Sequence, residues 1–155
     1  FIGDGEYRRK LEVLAARHGV SDYVVFLGQL PAGATVRAEL DKADMFVLPS
    51  RTEGLPRAMI EAMARGLPCI GTSVGGIPDL LHFEDLVPPN DVVALSNKIV
   101  KVAGNPNVLT GMAARNHVKA LEYLDEALEV RRRKLYCALY EVAATGKASK
   151  KRGAC

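Results

Sequence analysis

Two acidic side chains, Glu53 and Glu61, stand with seven residues between them in the run Ser50-Arg51-Thr52-Glu53-Gly54-Leu55-Pro56-Arg57-Ala58-Met59-Ile60-Glu61. The punctuation around them predicts a helix over 56–65. Pro56 suits the first helical position, where its missing N–H costs nothing. Gly66 suits the left-handed residue past the end, Leu67 supplies an apolar contact, and Pro68 bars continuation. The first turn of a helix carries unpaired N–H groups and the positive end of the macrodipole, so it attracts an anion. Gly54 has no Cβ and lets a ligand approach the backbone. The donors are then the amides of Gly54, Leu55, Arg57 and Ala58, and a phosphate or diphosphate is the natural guest. Glu61 sits among Ala58, Met59, Ile60, Ala62 and Met63, where an unpaired carboxylate is costly to bury. A pair of ligand hydroxyls would satisfy it. Glu61 lies about 7.5 Å along the helix axis from Pro56, so with Glu53 on the preceding loop the two acids would hold hydroxyls on either side of a diphosphate. A sugar nucleotide has that layout. A plainer reading stands beside it: Glu61 pairs with Arg57 or Arg65 on the helix surface, and Glu53 caps loop amides. The residues alone leave both readings open.

The elements that must position these groups alternate between helix and apolar strand. Residues 6–18 place Tyr7, Leu11, Val13 and Leu14 at helical spacing, and Gly19 ends the helix. Tyr23–Leu27 is a continuous β-rich run that predicts a buried strand. A helical segment over 31–43 follows. Asp44–Leu48 predicts a second buried strand, ended by Pro49, and Cys69–Thr72 a third. A Gly-Gly turn at 75–76 leads to a short helix near 78–82, and Asp85–Val87 is a last short strand. Asp91 is the expected cap of a helix running to about Ala103, and helices fill the chain to about Ala143. Apolar strands alternating with helices imply parallel βαβ units, hence a Rossmann-like, doubly wound parallel α/β sheet with a helical C-terminal segment. Such sheets bind ligands outside the carboxyl ends of their strands, which directs attention to the residues after Leu27, Leu48 and Thr72.

Composition sets outer bounds. The chain has 155 residues, 48% of them hydrophobic and 25% charged, the mix of an ordinary globular domain and not of a disordered chain or a coiled coil. Of 21 basic residues, Lys147, Lys150, Lys151 and Arg152 crowd the end, and the remaining 17 face 18 acids. The net charge of +3 is therefore a tail effect and does not support a nucleic-acid-binding face. Three scattered cysteines fit a reducing, cytoplasmic setting better than a disulfide framework. No run approaches the length of a membrane span. The opening Phe1-Ile2-Gly3-Asp4-Gly5 reads as a strand end entering a Gly-rich loop, which predicts a piece of a longer protein. Residues 1–143 are expected to form one domain, incomplete at its N-terminal edge, and 144–155 a basic, disordered tail. Arg131-Arg132-Arg133-Lys134 reads first as a solvated helix face. Peripheral association with an anionic membrane is the lesser reading.

The run from Ser50 through Pro68 resembles the E-x7-E signature of the retaining GT-B glycosyltransferases of group 1, family 4. Gly3-Asp4-Gly5, Val25-Phe26-Leu27-Gly28, Ala43–Ser50, Gly75-Gly76-Ile77-Pro78-Asp79 and Leu86-Val87-Pro88-Pro89 fall in that family's order and spacing. The likeness covers about residues 1–140 and is to the C-terminal, donor-binding half of the fold. It implies transfer of a hexosyl unit from a nucleotide-diphosphate sugar, with UDP- or GDP-sugars the leading donors, to a hydroxyl of a glycan or lipid-linked acceptor held by an N-terminal half. It implies retention of anomeric configuration, no metal and no further cofactor, and a cytoplasmic place in polysaccharide biosynthesis, with the cytoplasmic face of the membrane as the lesser option. Carried over by position, Glu53 matches the acid facing the donor sugar and Glu61 the acid holding the ribose hydroxyls. Gly54 and Leu55 match the loop whose amides meet the diphosphate, and Leu30 the position whose backbone reads the base edge. Arg57 and Asp79 are secondary candidates; Asp79 stands where many members have Glu. Two alternatives remain: a non-catalytic nucleotide-binding fragment, or another GT-B enzyme such as a sugar-nucleotide epimerase.

Overall fold

A computed structural model of the chain describes residues 1–152, with side chains described as far as residue 143. It falls into two units, residues 1–43 and the residues from Asp44 onward. In the first, α1 (Arg8–Arg17) and α2 (Ala34–Leu40) flank an extended segment. Gly19, with φ +67, ends α1 as expected. The face of α1 that the spacing predicts to be buried is open, however. Tyr7, Leu11, Val13 and Leu14 are all exposed, and only Ala15 of this helix is buried.

The expected strand at Tyr23–Leu27 does not form a ladder. Tyr23 belongs to a 3-10 turn with Ser21 and Asp22, and the following residues are extended. Their bonding partner is the short segment Phe1–Gly3. The Phe1 ammonium donates to the Val25 carbonyl at 2.6 Å. The Leu27 amide donates to Phe1 O at 2.9 Å and the Gly3 amide to Gly28 O at 2.8 Å. The Phe1 and Phe26 rings stack 5.2 Å apart. β-rich composition does not by itself bury Tyr23 or Val25, which stay exposed.

The second unit carries the sheet. β1 (Phe46–Leu48), β2 (Cys69–Thr72) and β3 (Leu86–Val87) are parallel, in the order β1-β2-β3. Val47 pairs with Ile70, Leu48 with Gly71, and Thr72 with Val87. Every residue of β2, the central strand, is buried, as a strand covered on both faces must be. Between the strands lie α3 (Arg57–Ala64) and α4 (Ile77–Leu80). Then come α5 (Val92–Ala103), α6 (Pro106–Ala120) and α7 (Asp125–Arg152). Asp91 caps α5 as expected, its carboxylate accepting from the Ala94 amide at 2.8 Å. Asn105 caps α6 through the amides of Asn107 and Val108. The backbone of α7 runs past the end expected near Ala143; the side chains of the expected tail 144–155, and residues 153–155 altogether, lie outside the described residues. Among the described residues no helix is long and apolar enough to cross a membrane.

One apolar cluster joins Ile70, Val87, Val102 and Met112, with Val47, Leu95 and Ile99 packed against it. On α3, Met59, Ala62 and Met63 have no exposed surface. Polar groups lock α6 to the α3–β2 connection. The Asn116 amide donates to Leu67 O at 3.0 Å, and His117 Nδ1 lies 3.2 Å from Ala64 O. The buried Asp85, just before β3, pairs with Arg115 of α6 at 3.0 Å. Losing Arg115 would leave the buried Asp85 carboxylate without this partner.

Burial, with a lesser contribution from Asp85, pushes the Cys69 thiol up to about 12, against hydrogen bonding to Asn116 that pulls the other way. A native value above the unfolded one of about 8.5 means that Cys69 contributes its full stability below pH ~8.5 and loses it as the pH climbs toward the native value. Thiol labelling at pH 8 in a Cys155→Ser background is expected to modify the exposed Cys137 at once and to spare the buried Cys69 until the protein unfolds. Rapid modification of Cys69 in the native protein would contradict this packing.

Candidate functional site

The helix that carries Glu61 begins one residue later than its proline suggests. Pro56 has φ −75° and ψ 103°, so it stands at the N-cap rather than at the first helical position. Its ring presets φ, and its carbonyl accepts from the amides of Met59 (3.1 Å) and Ile60 (3.3 Å). Proline has no side-chain acceptor, so no side chain caps α3. The amides of Arg57 and Ala58 come before the first intrahelical bond and are the groups an anion would meet. The other end is as expected. Gly66 has φ +74°, its amide donates to Met63 O at 2.9 Å, and the Leu67 amide donates to Ala62 O at 3.1 Å. This paired closure fixes the length of the helix.

Both acids are half-buried. Ser50 follows β1 by two residues, and its hydroxyl donates to Glu53 Oε1 at 2.6 Å. Ser50 is itself tied to the neighbouring strand, because the hydroxyl of the buried Thr72 donates to Ser50 O at 2.6 Å. The carboxyl ends of β1 and β2 therefore meet at the acid. Glu61 lies one turn into α3. No ion pair joins it to Arg57 among the described residues, so the surface-pair reading with Arg57 is not realised. Arg57, the first residue of α3, is exposed, and so is Asp79 on α4.

The loop between Glu53 and Pro56 is held from outside by the turn before α4. The Gly76 amide donates to Gly54 O at 2.7 Å. Gly75 adopts φ +53°, and a Cβ there would lie 1.9 Å from Glu53 O. A Cβ on Gly76 would lie 2.6 Å from Gly54 O. No side chain fits between these two backbones, so the Gly-Gly pair is what lets the loops touch. Gly54 itself faces open space: nothing lies within 4 Å of a Cβ built on it. Leu55 is 48% exposed. The structure thus sets Glu53, Gly54 and Leu55 against the Gly75–Gly76 turn, with Arg57 and Glu61 on the helix that follows. Leu30 lies in the first unit, half-buried, two residues beyond Gly28. Sequence reasoning gave no role to Ser50 and Thr72 and took Gly75–Gly76 for a plain turn. The spacing of Ser50 and Glu53 is a legible local signal, whereas the Thr72 and Gly75 contacts are long-range.

Gly54→Ala is expected to fold like the parent, since its Cβ enters open space. Gly75→Ala should lower stability by about 2 kcal/mol or more, from left-handed strain and the clash with Glu53 O. Denaturant unfolding of the two variants checks the contrast, and equal midpoints would contradict the close approach.

Comparison with known proteins bears on the family and the fold. The family model of the group 1 glycosyl transferases matches residues 1–105. The amylovoran biosynthesis glycosyltransferase AmsK of Erwinia amylovora is 34% identical over 129 residues, covering 76% of this chain and 31% of that protein. The chain spans about a quarter to a third of the length of the curated relatives it matches. Among solved structures, sucrose-phosphate synthase from Thermosynechococcus elongatus superposes with a TM-score of 0.77 at 30% identity, over 89% of this chain and 35% of that one. HepE of Anabaena, solved in complex with UDP, superposes with a TM-score of 0.77 at 21% identity, over 90% of this chain and 40% of its own. The Rossmann-like parallel α/β fold expected for the C-terminal half of a GT-B enzyme is the fold these comparisons support. With the matched model spanning two thirds of its length, the chain belongs to the group 1 glycosyltransferases.

Proposed function

We propose that this chain is the donor-binding part of a retaining glycosyltransferase that transfers a hexosyl unit from a nucleotide-diphosphate sugar to a hydroxyl acceptor. The observation that carries the reading is the half-buried Glu53, held by Ser50 at the loop that opens onto the amide end of α3, with Glu61 one turn along the same helix. UDP bound in the structure of HepE supports a nucleoside diphosphate as the leaving half of the donor.

In this reading the amides of Leu55, Arg57 and Ala58 receive the diphosphate and stabilise the charge that develops as the glycosidic bond breaks. Glu61 accepts hydrogen bonds from the ribose hydroxyls, which satisfies a carboxylate that no Arg57 ion pair satisfies. Glu53 accepts from hydroxyls of the donor sugar and holds the anomeric carbon in line. Arg57 adds positive charge near the phosphates. The acceptor, a glycan or a lipid-linked hydroxyl, is bound by the part of a longer enzyme that this chain does not include. The chain alone therefore binds nucleotide without turnover.

A thermal-shift screen of the full-length protein against UDP-, GDP- and ADP-sugars tests the reading. A donor at a hundredfold its Kd stabilises the native state by about 2.7 kcal/mol. One nucleotide class is expected to raise the midpoint, and no response to any of them would overturn the proposal. Glu61→Ala should raise KM for the donor by about tenfold with a smaller change in kcat, as loss of a binding contact does. Glu53→Gln should lower kcat by about a hundredfold or more with KM little changed, as loss of a contact made to the reacting sugar does.

A further inference from the structure

We propose that Ser50 is a positioning residue for Glu53: its hydroxyl fixes one carboxylate oxygen so that the other is presented to the donor sugar in a single orientation. This inference rests on the role given to Glu53 above and adds the means by which the acid is aimed. A hydroxyl has one proton to give, and Ser50 spends it on Glu53 Oε1 at 2.6 Å. Oε2 is then the oxygen left for the ligand. The contact is of the charge-assisted kind, shorter and stronger than a bond between neutral groups.

The donor of this bond is held as firmly as its acceptor. Ser50 cannot drift, because its carbonyl receives the Thr72 hydroxyl at 2.6 Å, and Thr72 is buried at the end of the central strand. Thr72 is in turn placed by its ladder partner Val87 on β3. The backbone of Glu53 is fixed from the opposite side, where the Gly75–Gly76 turn lies against its carbonyl. Side chain and main chain of one acid are thus held independently, by a strand end and by a turn. A glutamate side chain has three rotatable bonds, and ordering it only when substrate arrives would cost binding free energy. A chain Thr72–Ser50–Glu53 settles that cost during folding and leaves the carboxylate ready in the free enzyme.

The test is a set of variants in the full-length enzyme, followed by steady-state kinetics with the nucleotide sugar and by UDP titration. Ser50→Ala is expected to lower kcat by about ten- to a hundredfold, the value of a hydrogen bond to a charged group, while KM and the Kd for UDP stay within about twofold. Ser50→Thr, which keeps the hydroxyl, is expected to restore most of kcat. Combining Ser50→Ala with Glu53→Gln should cost no more than Glu53→Gln alone, because the two residues act as one unit. Should Ser50→Ala fail to fold, Ser50→Cys, similar in size and a poor donor, carries the same expectation. A Ser50→Ala enzyme with parental kcat, beside a crippled Glu53→Gln enzyme, overturns the positioning role and leaves the reading of Glu53 intact. Weakened UDP binding in step with kcat, or an undiminished Ser50→Ala effect in the Glu53→Gln background, makes Ser50 merely structural and also overturns it. Parental kcat in Glu53→Gln removes the role of the acid itself, and the positioning role with it.

Discussion

The backbones of Glu53–Gly54 and Gly75–Gly76 run so close that a methyl group on Gly75 would sit 1.9 Å from Glu53 O. A single amide-to-carbonyl bond of 2.7 Å, from Gly76 to Gly54, spans the contact. Everything at the site follows from this approach. It brings the segment after β2 against the segment after β1, so that two consecutive strands of a parallel sheet share one rim. It also turns the chain into Pro56, from whose carbonyl α3 starts. Without two residues lacking Cβ, the loops would separate and Glu53 would have no fixed place relative to the α3 amides.

The rest of the second unit serves to make that rim rigid. α3 buries Met59, Ala62 and Met63 completely. Burial of the two methionines is worth roughly 1.5–3 kcal/mol each, enough to anchor a helix of eight residues. Its far end is closed by the Gly66–Leu67 turn, and Asn116 of α6 takes the Leu67 carbonyl. One face of the helix is thus given to packing, and its N-terminal amides are left for a ligand. The Asp85–Arg115 pair does similar work at β3, joining α6 to the third strand away from Glu53 and Glu61.

Local chemistry was legible in the sequence wherever a boundary depends on one or two residues. The C-terminal end of α3, the Asp91 cap and the span of β2 could all be read from residue types. The pair of acids stood out because a glutamate among apolar helix residues demands a partner. Features that depend on distant chain segments were not legible. Tyr23–Leu27 has strand composition, yet Tyr23 enters a 3-10 turn and Tyr23, Val25 and Leu27 stay exposed. The apolar positions of α1 have helical spacing but no cover over Leu11 and Leu14. Periodicity reports which face a helix offers, not whether anything packs on it. Thr72 and Ser50 meet across 22 positions, and Gly75 meets Glu53 across a comparable gap, so neither contact has a local signature. Pro56 was misplaced by one residue because the ring fixes φ alone, and its observed ψ of 103° decides between cap and first turn.

The central claim is that the amides at the start of α3 receive a diphosphate between the carboxylates of Glu53 and Glu61. Amide hydrogen exchange of the full-length protein, with and without saturating UDP, addresses it most directly. The account predicts slowed exchange at Leu55, Arg57 and Ala58, with little change in α5 and α6. Unaltered exchange at those three amides in a UDP-saturated protein would contradict it.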